Sequence, residues 1–201
     1  MDMFDGCEGR RLAHELRWLS EPASWEFVGG RLFVEPLPKT DFFRPCTGDP
    51  HDDACLLYAR VAGDFTAVTE ASAKLAGFGD AAALTVRADS RHWAKICIER
   101  SPAGEVSIVS VVTDGLSDDA NNEILPAPAS HLRLSRLGDS FGMQYSLDGT
   151  RWRFVRAFCL DLPKEVMVGI HAQAPFGGGC TASFSRFVVT DAPVKDLRSG
   201  E

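Results

Sequence analysis

No stretch of this 201-residue chain approaches the ~20 consecutive apolar residues that a membrane-crossing helix needs, so no membrane partner is expected. The opening Met1-Asp2-Met3-Phe4-Asp5 lacks the basic head and apolar centre of a signal peptide, and a cytoplasmic location follows as the expectation. Positive charge is in deficit: 21 Lys and Arg against 28 Asp and Glu leave a formal charge of −7. That sign argues against nucleic acid, whose binders carry a basic stripe. The six cysteines, Cys7, Cys46, Cys55, Cys97, Cys159 and Cys180, include no Cys-x-x-Cys pair. The histidines, His14, His51, His92, His131 and His171, lack metal-ligand spacing. Reduced thiols packed as small hydrophobes are expected, with no metal and no cofactor. Gly177-Gly178-Gly179 lacks the Lys-Ser/Thr and following helix of a phosphate loop and reads as a turn. Strong amphipathic helices, internal repeats and dividing linkers are also missing. The chain therefore reads as an N-terminal polar segment (1–15), one β-sandwich domain (16–191) and a C-terminal tail (192–201).

What is present is a succession of short strands. Arg31–Glu35, Leu56–Val61, Phe65–Ala71, Ala82–Ala88, Trp93–Glu99 and Val106–Thr113 are followed by Leu132–Leu137, Phe141–Ser146, Trp152–Phe158, Glu165–Ala174 and Ala182–Thr190. Turn-forming pairs such as Gly29-Gly30, Gly63-Asp64, Gly138-Asp139 and Asp148-Gly149 separate them. Such spacing predicts an all-β sandwich or barrel. One helical turn is expected near Arg10–Leu16. Asp114–Pro128 reads as a longer excursion, either a loop or a helical turn capped by Ser117. Residues 36–54, with Pro36, Pro38, Pro45 and Pro50 and the acids Asp41, Asp49, Asp52 and Asp53, read as a solvated loop, because the Asp-x-Asp-x-Asp-Gly pattern of a calcium loop is missing.

The most informative strand is His92-Trp93-Ala94-Lys95-Ile96-Cys97-Ile98-Glu99. Alternation puts Ala94, Ile96 and Ile98 on one face and Trp93, Lys95, Cys97 and Glu99 on the other. The same parity turns Thr85 and Arg87 away from Leu84 and Val86, and Arg133 and Ser135 away from Leu132 and Leu134. It turns His171 and Gln173 away from Val168 and Ile170. A half-buried antiparallel strand needs one polar face, but a bland one would show Thr, Ser and Lys. Aromatic and multidentate polar groups together suit sugars or other polyhydroxylated or anionic ligands.

Several ordered pieces carry a resemblance. They include Trp18-Leu19-Ser20-Glu21-Pro22 with Trp25, Thr40-Asp41-Phe42-Phe43, Gly63-Asp64-Phe65 and Trp93–Glu99. Further along come Ser110-Val111-Val112-Thr113 before Ser117-Asp118, Tyr145-Ser146-Leu147-Asp148-Gly149 with Trp152 and Arg156, and Val168–Pro175. From about Leu16 to Val189 the chain resembles the domain-of-unknown-function family that includes the yeast "regulation of enolase" protein. The resemblance implies a concanavalin A-like jelly-roll sandwich of two curved antiparallel sheets, of the lectin/glucanase type, with a site on the concave sheet. It also implies an aromatic after Ser117-Asp118, where this chain has Asp119, so a ligand wall there is expected to be missing or altered. Fold transfers by such likeness better than function does.

Three readings follow. The favoured one is non-catalytic binding of a carbohydrate or small polar metabolite, with Trp93 as stacking platform and Glu99 and Gln173 as hydroxyl partners. Lys95 with Arg133 or Arg156 would be a charge clamp, and His171 lies on the same face. The second is a glycoside hydrolase or lyase using Glu99, with Asp41 or Asp118 as its partner. It lacks the Glu-x-Asp-x-x-Glu string of sandwich-fold glucanases. The third is a module that binds a regulatory protein partner.

Overall fold

The computed structural model describes residues 2–177 and 179–200; Gly178, the middle of the Gly177–Gly179 turn, lies outside the described residues. The strands in chain order are β1 (Arg17–Trp18), β2 (Ser24–Val28), β3 (Arg31–Glu35), β4 (Phe42–Phe43), β5 (His51–Asp52) and β6 (Cys55–Ala62). Then come β7 (Phe65–Leu75), β8 (Ala81–Arg87), β9 (His92–Arg100), β10 (Val106–Asp114) and β11 (Leu116–Ile124). The last are β12 (Ala129–Leu137), β13 (Ser140–Ser146), β14 (Arg153–Cys159), β15 (Glu165–Gln173) and β16 (Cys180–Thr190).

They form a concanavalin A-like jelly-roll sandwich of two curved antiparallel sheets. One sheet runs β1-β6-β15-β8-β9-β10-β11 and is called here the site sheet. The other runs β14-β13-β12-β7-β16-β3-β2. Between them lies the main core, where Leu84, Ile96 and Val168 of the site sheet meet Leu134, Phe141 and Phe184 of its partner. Each such buried side chain contributes about 1.5–3 kcal/mol. Phe4 extends this core, its ring 5.0 Å from Phe27 and 6.0 Å from Phe187.

Two local expectations are corrected. Residues 10–16 form turns rather than a helical one, and among the described residues there is no helix. The excursion at 114–128 contains β11, paired with β10 from Asp114↔Leu116 to Ser107↔Ile124. Leu-Ser-Asp-Asp-Ala-Asn-Asn-Glu-Ile shows no apolar alternation because this edge strand is wet on much of its surface, and backbone pairing with polar side-chain contacts, rather than apolar burial, holds it in the sheet. Its acids reach the edge of the opposite sheet: Asp118 pairs with Arg156 at 3.4 Å, and Glu123 with Arg153 and Tyr145.

A second apolar cluster lies outside the sandwich, on the outer face of the site sheet. Residues 36–54 fold across that face, contrary to the expectation of a solvated loop. Lys39 N donates to Ala174 O and Ala174 N to Thr40 O, fixing one end to β15. Arg44 and Ser117 exchange hydrogen bonds, fixing the middle to the β10–β11 corner. Phe42 is fully buried beneath this cover, against Trp93 at 6.0 Å and His171 at 5.2 Å. The outward residues of β8 at this point, Ala81 and Ala83, carry too little bulk to hold the cover away.

Candidate functional site

The alternation of β9 holds as read: Ala94, Ile96 and Ile98 face the main core, and Trp93 and Cys97 face the second cluster. The face is buried rather than exposed, because the Phe42–Asp52 hairpin lies over it. Trp93 is fully buried and is therefore a floor under Phe42, not an open stacking platform.

Register across the sheet places the polar residues. Ala81 pairs with both Glu99 on β9 and Gln173 on β15, so those two side chains flank the small alanine in one row. Two repeats along, Val111 pairs with Lys95 and with Asp119. Lys95 is 1% exposed, and its ammonium donates to Gln173 Oε1 at 2.7 Å, Phe42 O at 2.9 Å and Asp41 Oδ1 at 3.2 Å. Three N–H groups thus meet three acceptors. Burial opposes the charge, yet the neighbouring Asp41, with Cys97 and Glu99, holds the ammonium above the ordinary lysine range.

Gln173 relays this order outward. Its Oε1, committed to Lys95, also accepts from His171 Nε2 at 3.1 Å, while its Nε2 donates to Gly79 O at 2.9 Å. His171 Nδ1 then accepts from Thr85 Oγ1 at 2.7 Å. Burial, with Lys95 adding to it, lowers His171 to about 3, so the ring is neutral. Arg87 is a second buried cation, paired with Asp52 at 2.7 Å and lying over the Phe42 ring at 4.8 Å. Two of the acids expected to be solvated, Asp41 and Asp52, are the counter-ions of the buried Lys95 and Arg87.

Beside this network a cavity of about 380 Å³ opens. Lys95, Glu99 and Gln173 line it together with Asp41, Asp119 and Asn121, and Phe43, Phe78 and Phe176 supply aromatic wall. Phe78 and Phe176 stack on each other at 5.0 Å and are largely exposed. Their loops meet at Gly79, which has φ +76° and whose Cβ, if present, would lie 2.6 Å from Pro175 Cγ; only glycine fits this close approach. Asp80 holds the same turn, accepting from the Ala76 and Gly77 N–H groups. Burial raises the Glu99 carboxyl to about 7; Lys95 opposes the rise, whereas Asp41 and Asp119 add to it.

Of the residues expected at the site, Lys95, Glu99 and Gln173 come together at the cavity, and His171 stands behind Gln173. Arg133 and Arg156 do not join them, because both belong to the opposite sheet. Arg133 lies on the outer face of β12, 4.1 Å from the Trp152 ring and bonded to Gln144 and Gly200 O. Arg156 on β14 turns to Asp118. A charge clamp of Lys95 with either arginine is therefore excluded by topology. Asp119 itself forms wall where its replacement of an aromatic suggested a gap. Asn121, Phe43, Phe78 and Phe176 were missed, although aromatics standing in glycine-bounded turns, as in Gly77-Phe78-Gly79 and Phe176-Gly177, were a visible signal.

Known proteins resemble this one throughout. A "Regulation of enolase protein 1" of Saccharomyces cerevisiae is 30% identical over 176 residues, covering 86% of this chain and 88% of that one. The crystal structure of a functionally unknown protein from Saccharomyces cerevisiae matches with a TM-score of 0.82 at 30% identity, over 88% of this chain and 96% of that one. The GH43 protein BlXynB from Bacillus licheniformis matches with a TM-score of 0.76 at 17% identity. That match covers 95% of this chain but 39% of the other, and it shows the fold alone. The family model described as "Protein of unknown function (DUF1349)" spans residues 18–192, nearly the whole sandwich, and the chain belongs to that family.

Proposed function

We propose that the cavity beside Lys95 binds a small polyhydroxylated molecule, a carbohydrate of one or two rings foremost, without transforming it. The observation that carries this reading is the make-up of one wall-bounded space: Glu99, Asp119, Asn121 and Gln173 converge on it with three phenylalanines. Directed polar groups among aromatic faces are what a sugar ring requires, hydroxyls meeting carboxylates and amides while C–H faces meet rings. Its volume lies toward the small end of the about 300–1,000 Å³ typical of small-molecule sites. The buried Lys95–Gln173–His171 chain acts as scaffold, holding the Gln173 amide in one orientation.

A thermal-shift screen of the full chain against mono- and oligosaccharides, sugar phosphates and uronic acids tests the reading. A ligand that stabilises the wild type and fails to stabilise Asn121→Ala or Glu99→Gln, each shown folded by circular dichroism, supports it. Silence across the panel sinks it and favours the protein-interaction module suggested by the name of the yeast relative.

One observation favours a second reading. A carboxyl held near 7 beside further carboxylates is the arrangement of a general acid with a base or nucleophile. Release of reducing sugar from any ligand found in the screen, abolished in Glu99→Gln, would replace binding by hydrolysis.

A further inference from the structure

The cavity's charge selects among sugars. Among the described residues Lys95 is its one lining cation, and all three of its donors are already taken by Asp41, the Phe42 carbonyl and Gln173. An anionic ligand would find no free ammonium hydrogen there, and it would face Glu99 and Asp119. Asp41 and Lys95 offset one another, so those two carboxylates set the sign of the space that remains. Arg133 and Arg156, which could have reversed that sign, lie on the other sheet. The aromatic walls act in the same direction, since the face of a phenyl ring attracts a cation.

We infer that the ligand carries an amine: an amino-sugar-like polyol whose ammonium is taken by Glu99 and Asp119, with Phe43, Phe78 and Phe176 around it. This rests on the sugar-binding reading above and names the class within it. Besides burial, the groups acting on Glu99 are the charges of Lys95, Asp41 and Asp119 and the neutral Cys97 thiol, which donates to Glu99 Oε2 at 3.5 Å. An arriving ammonium adds a second positive charge beside it and favours its ionised form, so binding near pH 7 expels a proton from Glu99.

Calorimetric titration of the full chain at pH 7 with glucosamine, glucose, N-acetylglucosamine and glucuronate tests this. Glucosamine is expected to bind about tenfold more tightly than glucose or N-acetylglucosamine, as one partly desolvated charge contact would give, and glucuronate most weakly. The glucosamine heat should vary with the ionisation enthalpy of the buffer, reporting the released proton, and the glucose heat should not. Asp119→Asn should bring the ratio of glucosamine to glucose affinity close to one, whatever it does to glucose binding itself. Equal binding of glucosamine and glucose, or a preference for glucuronate, overturns the charge inference and leaves the sugar reading standing. Binding by none of the four removes the amine inference, and the wider panel of mono- and oligosaccharides then decides the sugar reading.

Discussion

Lys95 and Asp41 are 54 residues apart in the chain, yet their ammonium and carboxylate meet at 3.2 Å with almost no exposure to water. This contact ties the covering segment to the sheet it covers. It turns an ordinary-looking lysine on a polar strand face into the centre of a dry network.

Breaking that contact from the cationic side should be severe. Lys95→Met removes the ammonium and leaves Asp41, the Phe42 carbonyl and Gln173 without their donor. The expected loss is on the order of 3–5 kcal/mol, as for other buried pairs stripped of one partner. Asp41→Asn made in the Lys95→Met background should then cost far less than in the wild type. Urea denaturation of the four proteins measures both effects, and additive losses would contradict the pairing.

The pH dependence of stability should contain two opposed contributions. Glu99 titrates at about 7 in the fold and at 4.5 as an ordinary carboxyl, so between those values the folded state holds the extra proton. Stability from this group is full below about 4.5 and falls as pH rises through 7, by on the order of 3 kcal/mol. His171 is lowered to about 3 from 6.5, so between those values the unfolded state holds the extra proton. Its contribution is full above about 6.5 and is lost as pH falls. From about pH 4.5 to 6.5 the two slopes run against each other, and the wild type should show a flattened profile. Glu99→Gln removes one of them, so this variant should gain stability steadily from pH 4.5 to 6.5. A variant profile as flat as the wild type's would refute the assignment.

The cover itself can be tested through the aromatic it protects. Phe42→Ala should destabilise by about 3–5 kcal/mol, as large-to-small changes of buried phenylalanines do. It should also wet Trp93 and move its fluorescence to longer wavelength. The same change in a Trp93→Phe background should leave the emission of Trp18, Trp25 and Trp152 where it was. A shift that persists there would mean that the whole sandwich, not the cover, had loosened.

How much of this was legible depends on what kind of information alternation carries. Ala94-Ile96-Ile98 against Trp93-Lys95-Cys97-Glu99 sorts β9 into its two faces correctly, because side-chain parity is a local property of a strand. The sandwich and the positions of the long strands follow from the same pattern repeated between turns. Parity also shows that Arg133 points away from the core, but each sheet of a sandwich has an outer face, and parity does not say which one. β11 was invisible because an edge strand solvated around most of its length needs no apolar pattern. The cover was hidden for a related reason. Residues 36–54 carry loop composition, and the few side chains that bury, Phe42 above all, find partners on strands far along the chain.

The order in which the chain can assemble follows from that cover. Its contacts join residues 39–44 to Lys95, Ser117 and Ala174, so the ends of each loop to be closed are separated by tens to more than a hundred residues. Closure across such spans becomes favourable only after β9 and β15 already stand side by side with β8 between them. Until then the Lys95 ammonium is still hydrated and Trp93 still meets water. Docking of residues 36–54 is therefore the step that dries the outer face, and the cavity does not exist before it. Refolding followed through Trp93 should lag behind refolding followed through the backbone, because the covered face and its cavity are the last part of the molecule to form.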